Sequence, residues 1–140
     1  MAEFTYNPVQ TVAPNQPVVL QTTISCNKGY VYHRNNSGIV TLRGVTNNCF
    51  ARYQVTFNGN IAIPTGGTVE EISIALAQTG EPLQSSRARV TPAAVENFFN
   101  VTSTAIFTVP RGCCYTIAVE NTSGQAIEIQ NANLTISRIA

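Results

Sequence analysis

The stretch AIFTVPRGCCYTIAVEN, residues 105–121, decides the fold that the sequence predicts. In its second half Tyr115, Ile117 and Val119 alternate with polar or small residues, which is the period of two of a half-buried strand. The first half is apolar on both faces. Such a strand lies in the middle of a sheet, or is covered by something outside its own domain. A Pro-Arg-Gly sequence suits the turn between the two. We therefore expect a hairpin at the centre of the fold.

The composition favours a single β-rich domain. The chain has 140 residues, of which only 11% are charged, and it contains no Asp and no Trp. Thr, Val and Ile dominate, and these residues suit strands better than helices. The net charge is +1 and the Arg residues do not cluster, whereas nucleic-acid binding needs a basic stripe. We therefore expect no nucleic-acid partner.

Short alternating segments with turn residues between them continue along the chain. We expect a bulge or turn at 58–60, one helical turn within 91–98, and a break in the last strand at 131–133. The further predicted strands are 4–12 (a lead-in or first edge strand), 17–24, 30–33, 39–43, 50–57, 61–63, 69–78, 83–90 and 126–139.

These elements predict an all-β fold, a two-sheet antiparallel jelly-roll sandwich of about eight to ten strands with little helix. An immunoglobulin-like sandwich is the alternative, weakened by the absence of a core Trp and of well-separated paired cysteines. We expect one domain, 1–140, in which residues 1–16 form an N-terminal lead-in.

The N-terminus shows no signal peptide, and no segment is apolar for long enough to span a bilayer. We therefore expect synthesis in a cytoplasm and no membrane insertion. In that compartment Cys26, Cys49, Cys113 and Cys114 are expected to be reduced, buried thiols. A Cys26–Cys49 disulfide is the alternative. A zinc site is least favoured, because adjacent cysteines on a strand point to opposite faces.

The residues for catalysis are sparse. Without Asp, an Asp-based triad, an aspartic dyad and an EF-hand loop are excluded. Glu70 and Glu71 are adjacent and would face opposite ways on a strand. His33 precedes a polar loop and is expected to be structural or solvent-facing. We expect no enzymatic activity, no catalytic or metal-binding residues and no cofactor.

Four segments carry a resemblance to a known superfamily. They are SGIVTLRG, CFARYQVTFNGNIAIP, IFTVPRGCCYTIAVEN and NANLTISRIA. Together they resemble the trimeric jelly-roll domains of the tumour-necrosis-factor and complement globular-head superfamily. The nearest likeness is to the C-terminal domain of bacterial spore-surface collagen-like glycoproteins: Gly44 and Tyr53 match its "strand, Gly, loop" unit, and Leu134 to Ile136 with Arg138 match its ending. A weaker likeness is to small jelly-roll proteins of phage virions, and the lack of a collagen-like Gly-X-Y region fits a free-standing or virion-attached head.

The resemblance implies a homotrimer in which one sheet of each copy lines the three-fold axis. The outward positions of the strands agree, because they carry few charges, as buried subunit interfaces do. The alternative is a low-charge soluble monomer. The expected interface residues are Arg52, Gln54, Thr56, Thr135 and Ser137.

The predicted function is that of a non-enzymatic, homotrimeric structural or adhesion protein of a surface assembly, namely a phage virion fibre, decoration or receptor-binding head. Its expected partners are itself, other virion or surface-layer proteins, and a cell-surface glycan, and its final location is a particle surface. The alternative is a carbohydrate- or receptor-binding module that acts through loop tips. Its contacts would be Tyr30, Tyr32, His33 and Arg34, since aromatic and Arg side chains suit sugars and carboxylates.

Overall fold

The computed structural model describes residues 2–25 and 29–140, and the regular secondary structure of this part of the chain is almost entirely β-strand. A single-turn 3-10 helix lies at Gln84–Ser86. No helix among these residues is long and apolar enough to cross a membrane. The strands are β1 (Ala2–Tyr6), β2 (Gln10–Val12), β3 (Thr22–Ser25), β4 (Val31–His33), β5 (Val40–Arg43), β6 (Phe50–Ala62), β7 (Ile72–Gln78), β8 (Glu81–Pro82), β9 (Ala88–Val90), β10 (Phe99–Pro110), β11 (Cys114–Asn121) and β12 (Ile127–Arg138).

Two antiparallel sheets of six strands each enclose one hydrophobic core. The first sheet has the order β10-β6-β12-β1-β3, with β2 paired to β12 beside β1. The second sheet has the order β4-β5-β11-β7-β8, with β9 paired to β7. This architecture confirms the predicted jelly-roll sandwich, which here has twelve described strands rather than eight to ten.

The longest strand, β6, organises the first sheet. It has 13 residues and pairs with β10 on one side and β12 on the other. Its inward side chains, among them Tyr53, Val55 and Phe57, are fully buried, while Arg52 and Gln54 face outward. The alternation predicted for the strand at 50–57 is confirmed, because its odd-numbered residues face the core and its even-numbered residues face outward. Because successive side chains alternate between faces, one strand supplies both core and surface.

The corner after β5 explains the Gly and Tyr of the resemblance. A Cβ on Gly44 would lie 2.1 Å from the carbonyl oxygen of Pro110, so no larger residue fits there without a shift of the backbone. The Gly44 N–H donates to the carbonyl of Cys113 at 2.8 Å. The Tyr53 hydroxyl donates to the carbonyl of Arg43, the residue before Gly44, at 2.6 Å. These contacts tie the first sheet to the second at this end of the sandwich.

The two strands of the stretch 105–121 do not form a hairpin. β10 pairs with β6 at the edge of the first sheet, whereas β11 lies inside the second sheet between β5 and β7. In the turn between them the Cys113 N–H donates to the Pro110 carbonyl at 3.0 Å, and Gly112 has φ 78°. The hairpin prediction and the mid-sheet position of β10 are wrong. Period-two alternation shows which side chains face the core, and it does not show which strand is the neighbour.

The segment 17–24 is not the regular strand that its alternation predicts. Val18 and Leu20 are buried as expected. However, the Val18 N–H donates to Val119 at 2.7 Å and the Leu20 N–H to Ser37 at 3.2 Å, so the segment changes partners every two residues. It forms only isolated bridges before joining the first sheet as β3. The N-terminal segment differs as well, because β1 lies between β12 and β3 rather than at an edge.

Three local predictions have mixed outcomes. The break in the last strand is confirmed: the register with β6 shifts between Gln130 and Asn133, and Asn131 has φ 55°. The bulge at 58–60 is wrong, because β6 continues in unbroken register with β10. The helical turn within 91–98 is also wrong. Glu96 there has φ 62°, outside the helical region, and its N–H donates to the Ile63 carbonyl at 2.8 Å.

The described cysteines are exposed rather than buried. Cys113 and Cys114 are free and lie at the turn between the two sheets, and Cys49 is exposed just before β6. The prediction of buried thiols is therefore wrong for these three, since turn positions at the end of a sandwich face solvent. Cys26, and with it the alternative Cys26–Cys49 disulfide, lies outside the described residues.

We expect Phe107→Ala to lower the free energy of unfolding by about 3–5 kcal/mol, because its ring is 1% exposed in the core. Phe99→Ala on the same strand is the matched control. Phe99 is 42% exposed, so its loss should cost less than half as much. Urea denaturation of both variants at one protein concentration checks this. Both rings are on the inward side of β10, so equal losses would contradict the difference in burial between the middle and the end of that strand.

Candidate assembly face and ligand groove

The outward face of the first sheet is the largest continuous surface built by regular strands. We call it the assembly face. Its side chains come from alternate positions of three neighbouring strands and are mainly hydroxyls and amides. They are Arg52, Gln54, Thr56, Asn58 and Asn60 on β6, Asn100, Thr102, Thr104, Ile106 and Thr108 on β10, and Gln130, Asn133, Thr135 and Ser137 on β12.

The register arranges these side chains in rows across the strands. Thr104, Thr56 and Thr135 stand abreast at the centre of the face. The hydroxyls of Thr56 and Thr104 are 3.1 Å apart and hydrogen-bonded. One row further, the Asn100 amide donates to the Asn58 side-chain oxygen at 2.8 Å. These bonds fix the polar groups in place, which lowers the conformational entropy that a docking partner would have to remove.

The charges lie at the margin of this face. Arg52 is near one end, with its guanidinium 5.0 Å from the ring of Phe50. Glu3 lies on β1, directly opposite Thr135, so it continues the central row beyond β12, and it accepts a 2.6 Å hydrogen bond from the amide of Asn133. The row before the central one instead contains Ile106, an apolar side chain that is 57% exposed. A centre free of charge with an exposed Ile is the surface that a buried interface requires.

The structure brings the predicted interface residues together on this one face. Arg52, Gln54 and Thr56 follow one another along β6, and Thr135 and Ser137 lie directly opposite Thr56 and Gln54 on β12. The contribution of β10 to this face was not predicted. A strand apolar on both faces was expected either to lie in the middle of a sheet or to be covered from outside its own domain, and β10 is an edge strand with Ile106 as its exposed outward residue.

An acidic pair lies at the opposite end of this face from Arg52. Burial, and then the hydrogen bond to Glu96, raise the pKa of Glu128. The same hydrogen bond, followed by those from Thr65, lowers the pKa of Glu96. The Thr65 N–H and hydroxyl each lie 2.9 Å from the Glu96 carboxylate. Glu128 is therefore the member of the pair that holds its proton to the higher pH, and Glu96 the one that loses it first.

The residues predicted to contact a ligand do not form one site. Tyr30 lies in an open groove of about 410 Å3, the Tyr30 groove, whose other lining residues are Val45, Thr46, Asn47, Asn48 and Arg138. The Arg138 guanidinium is 4.4 Å from the Tyr30 ring centre and stacks on it. Tyr32 is 63% exposed and stands on the outward face of the second sheet. Arg34 is exposed in the following turn.

His33 is a structural residue. Its ring lies 4.6 Å from that of Phe4. Its two nitrogens are occupied, Nδ1 by the Thr23 hydroxyl at 3.2 Å and Nε2 by the Ser37 carbonyl at 2.8 Å. An imidazole held in this way is not free to bind a ligand, so the structural interpretation of His33 is the one the geometry supports.

The described residues contain no group of three or more His, Cys, Asp or Glu that could hold a metal ion. The Glu96 carboxylate has the Thr65 hydroxyl beside it at 2.9 Å, and Glu120 has no side-chain hydrogen bond among the described residues. The prediction that the chain is not an enzyme stays a prediction.

Comparison with known structures identifies the fold. Eiger, a TNF from S. frugiperda, has a TM-score of 0.74 at 15% identity over 99% of this chain and 91% of its own. The globular domain of zebrafish complement 1qA gives 0.64 at 14% identity over 96% and 94%. Murine APRIL gives 0.58 at 12% identity over 93% and 98%. The chain therefore has a TNF/C1q-like jelly-roll fold, as the resemblance implies. No family model matches it, and no curated protein matches its sequence.

We expect Glu128→Gln to stabilise the protein at neutral pH and to matter little in acid. A carboxyl whose folded pKa is raised keeps its proton in the folded state, so folding is penalised as the pH rises past the unfolded value. Gln removes that penalty and retains an N–H donor for Glu96. Urea denaturation at about pH 4 and about pH 7 measures the difference. The control is Glu71→Gln, which removes an equal charge from a half-exposed pair with Arg89 at 3.9 Å. An equal effect of Glu128→Gln at both pH values would contradict a raised pKa of Glu128 in the folded state.

Proposed function

We propose that this chain is a non-enzymatic, homotrimeric structural or adhesion protein of a surface assembly, in which the assembly face packs around a three-fold axis. One observation carries the proposal. On β10, β6 and β12 the centre of the assembly face has no charged side chain, its hydroxyls and amides are already ordered by hydrogen bonds, and Ile106 is left exposed on an edge strand. The TNF/C1q-like fold supports the choice of this sheet, because the superfamily resemblance implies that it lines the axis.

The setting we propose is a phage virion, where the chain would serve as a fibre, decoration or receptor-binding head. This part rests on the likeness of the sequence to small virion jelly rolls. Its partners would be the other two copies and neighbouring proteins of the particle surface. The neighbouring genes test the setting: capsid and tail genes are expected beside this one.

Thr56→Glu is expected to dissociate the trimer. Thr56 is half-buried at the centre of the assembly face, so the variant would bring three like charges together in a poorly hydrated seam. Coulomb repulsion and the cost of desolvating the carboxylates both oppose assembly. Light scattering after size exclusion gives the mass, and circular dichroism should show that the β-structure is kept.

The matched control is Thr41→Glu. Thr41 is also half-buried at the centre of a strand, but on the outward face of the second sheet, between Tyr32 and Thr116. This variant should remain a trimer. A Thr56→Glu protein that keeps the wild-type mass, or a Thr41→Glu protein that loses it, would contradict the assignment of the face.

A second candidate function is recognition of a carbohydrate or of an acidic receptor group, and the Tyr30 groove favours it. The groove combines an aromatic ring, the amides of Asn47 and Asn48, and the guanidinium of Arg138. Stacking and bidentate hydrogen bonds from such groups recognise sugars and carboxylates. On a glycan array we expect selective binding that Arg138→Ala abolishes. A signal unaffected by Arg138→Ala, or a silent array, would speak against this function.

A further inference from the structure

A groove on the outward face of the second sheet belongs neither to the assembly face nor to the Tyr30 groove. It has a volume of about 130 Å3 and follows β11, with Ala118 as its floor between Thr116 and Glu120. Pro17 and Ile39 form one wall. Pro17 stands directly beside Glu120, to which it is joined by an isolated bridge. Because this face is on the opposite side of the sandwich from the assembly face, a trimer leaves it open.

Glu120 is the unusual residue of this groove, which we call the Glu120 groove. Its side chain points to the outward face of the sheet, yet the residue is only 8% exposed. Among the described residues no cation pairs with it, and no hydrogen bond contributes to its pKa. The Glu120 carboxylate oxygens reach the surface of the groove rather than being sealed beneath it, because Oε1 of Glu128 is the one buried side-chain oxygen without a hydrogen-bond partner among the described residues. The carboxylate is therefore open to a ligand in the groove.

Burial, and then the neighbouring charge of Glu81, raise the pKa of Glu120. Both causes disfavour the ionised form, and a positive charge brought into the groove would reverse them. Charge complementarity therefore selects a cation as the occupant. The rest of the lining is mainly apolar, from Pro17, Ile39, Ile117 and Ala118, with Gly80 and the hydroxyl-bearing Thr116 completing it. These walls favour a cation that carries an alkyl chain.

The dimensions agree with this chemistry. Thr116 and Glu120 are four residues apart on one strand, which places the two ends of the groove about 13 Å apart. A cavity of about 150 Å3 holds a molecule the size of benzene, so the Glu120 groove accepts roughly six non-hydrogen atoms. An extended chain of four or five methylenes that ends in an ammonium group fits this space.

We propose that the Glu120 groove binds an alkylammonium group, whose nitrogen pairs with the Glu120 carboxylate and whose chain lies over Ala118. The group is either a free amine or the side chain of a lysine presented by a partner protein. Both have the same chemistry, and the experiment below separates them.

The probe is n-pentylammonium, with 1-pentanol as a neutral control of the same size. Each is titrated into protein labelled with 13C on its alanine methyl groups, and the Ala118 signal reports occupancy. Wild type should bind the amine at least about tenfold more tightly than the alcohol. Glu120→Gln should remove that preference and leave the affinity for the alcohol unchanged. Ala118→Val should weaken both ligands, because it fills the floor of the groove and keeps the charge.

Nα-acetyl-lysine N-methylamide identifies the source. If it binds as tightly as the amine, the occupant is a lysine of a partner; if only the free amine binds, the occupant is a small molecule. Equal affinity for amine and alcohol, amine binding that survives Glu120→Gln, or an Ala118 signal that does not move up to about 50 mM amine would overturn the proposal. Glu81 does not line the groove, so the Glu81→Gln variant should keep most of the preference for the amine over the alcohol.

Discussion

The pairing of β6 with β10 and β12 is the constraint on which the rest of the structure depends. These three long strands place Tyr53, Phe57 and Phe107 in the core and leave a wide, flat surface on their other side. The core fixes the register, because a slip of one residue would turn every buried side chain outward. The register in turn aligns the rows of Thr and Asn. The order of the assembly face is therefore a consequence of how the core is packed.

The sequence predicts the inward phase of each strong strand, because alternation reports burial directly. It fails where the choice of neighbour matters. The hairpin expected at 105–121 is a crossing between the two sheets, and the segment 17–24 also crosses between them. In both segments the sequence predicts the buried side chains correctly and the neighbouring strands wrongly. The break at 131–133 was predictable, because the apolar residues change phase there. The bulge expected at 58–60 rested on Gly and Asn alone, and Gly59 instead lies within the regular ladder with β10.

The candidate sites divide in the same way. The assembly face could be predicted because its residues share strands and phase, although the part from β10 needed the sheet order. The Tyr30 groove could not, since it joins Tyr30 to Arg138 at the far end of the chain. The Glu120 groove could not be predicted from the sequence either, because it depends on Pro17 and Ile39 lying beside β11. Glu120 looks like an ordinary outward residue of an alternating strand, and only the fold shows that it is buried. Tyr32 and His33, adjacent in sequence, face opposite sides of one strand.

The two sheets have different surfaces, and this difference gives the molecule its proposed organisation. One outward face is uncharged at its centre, and the other holds a single buried carboxylate in an apolar groove. Sedimentation equilibrium of the wild-type chain at micromolar concentration measures whether the assembly face joins three copies in solution. A homotrimer gives one species at three times the 15.1 kDa mass of the chain. A species at 15.1 kDa would contradict it.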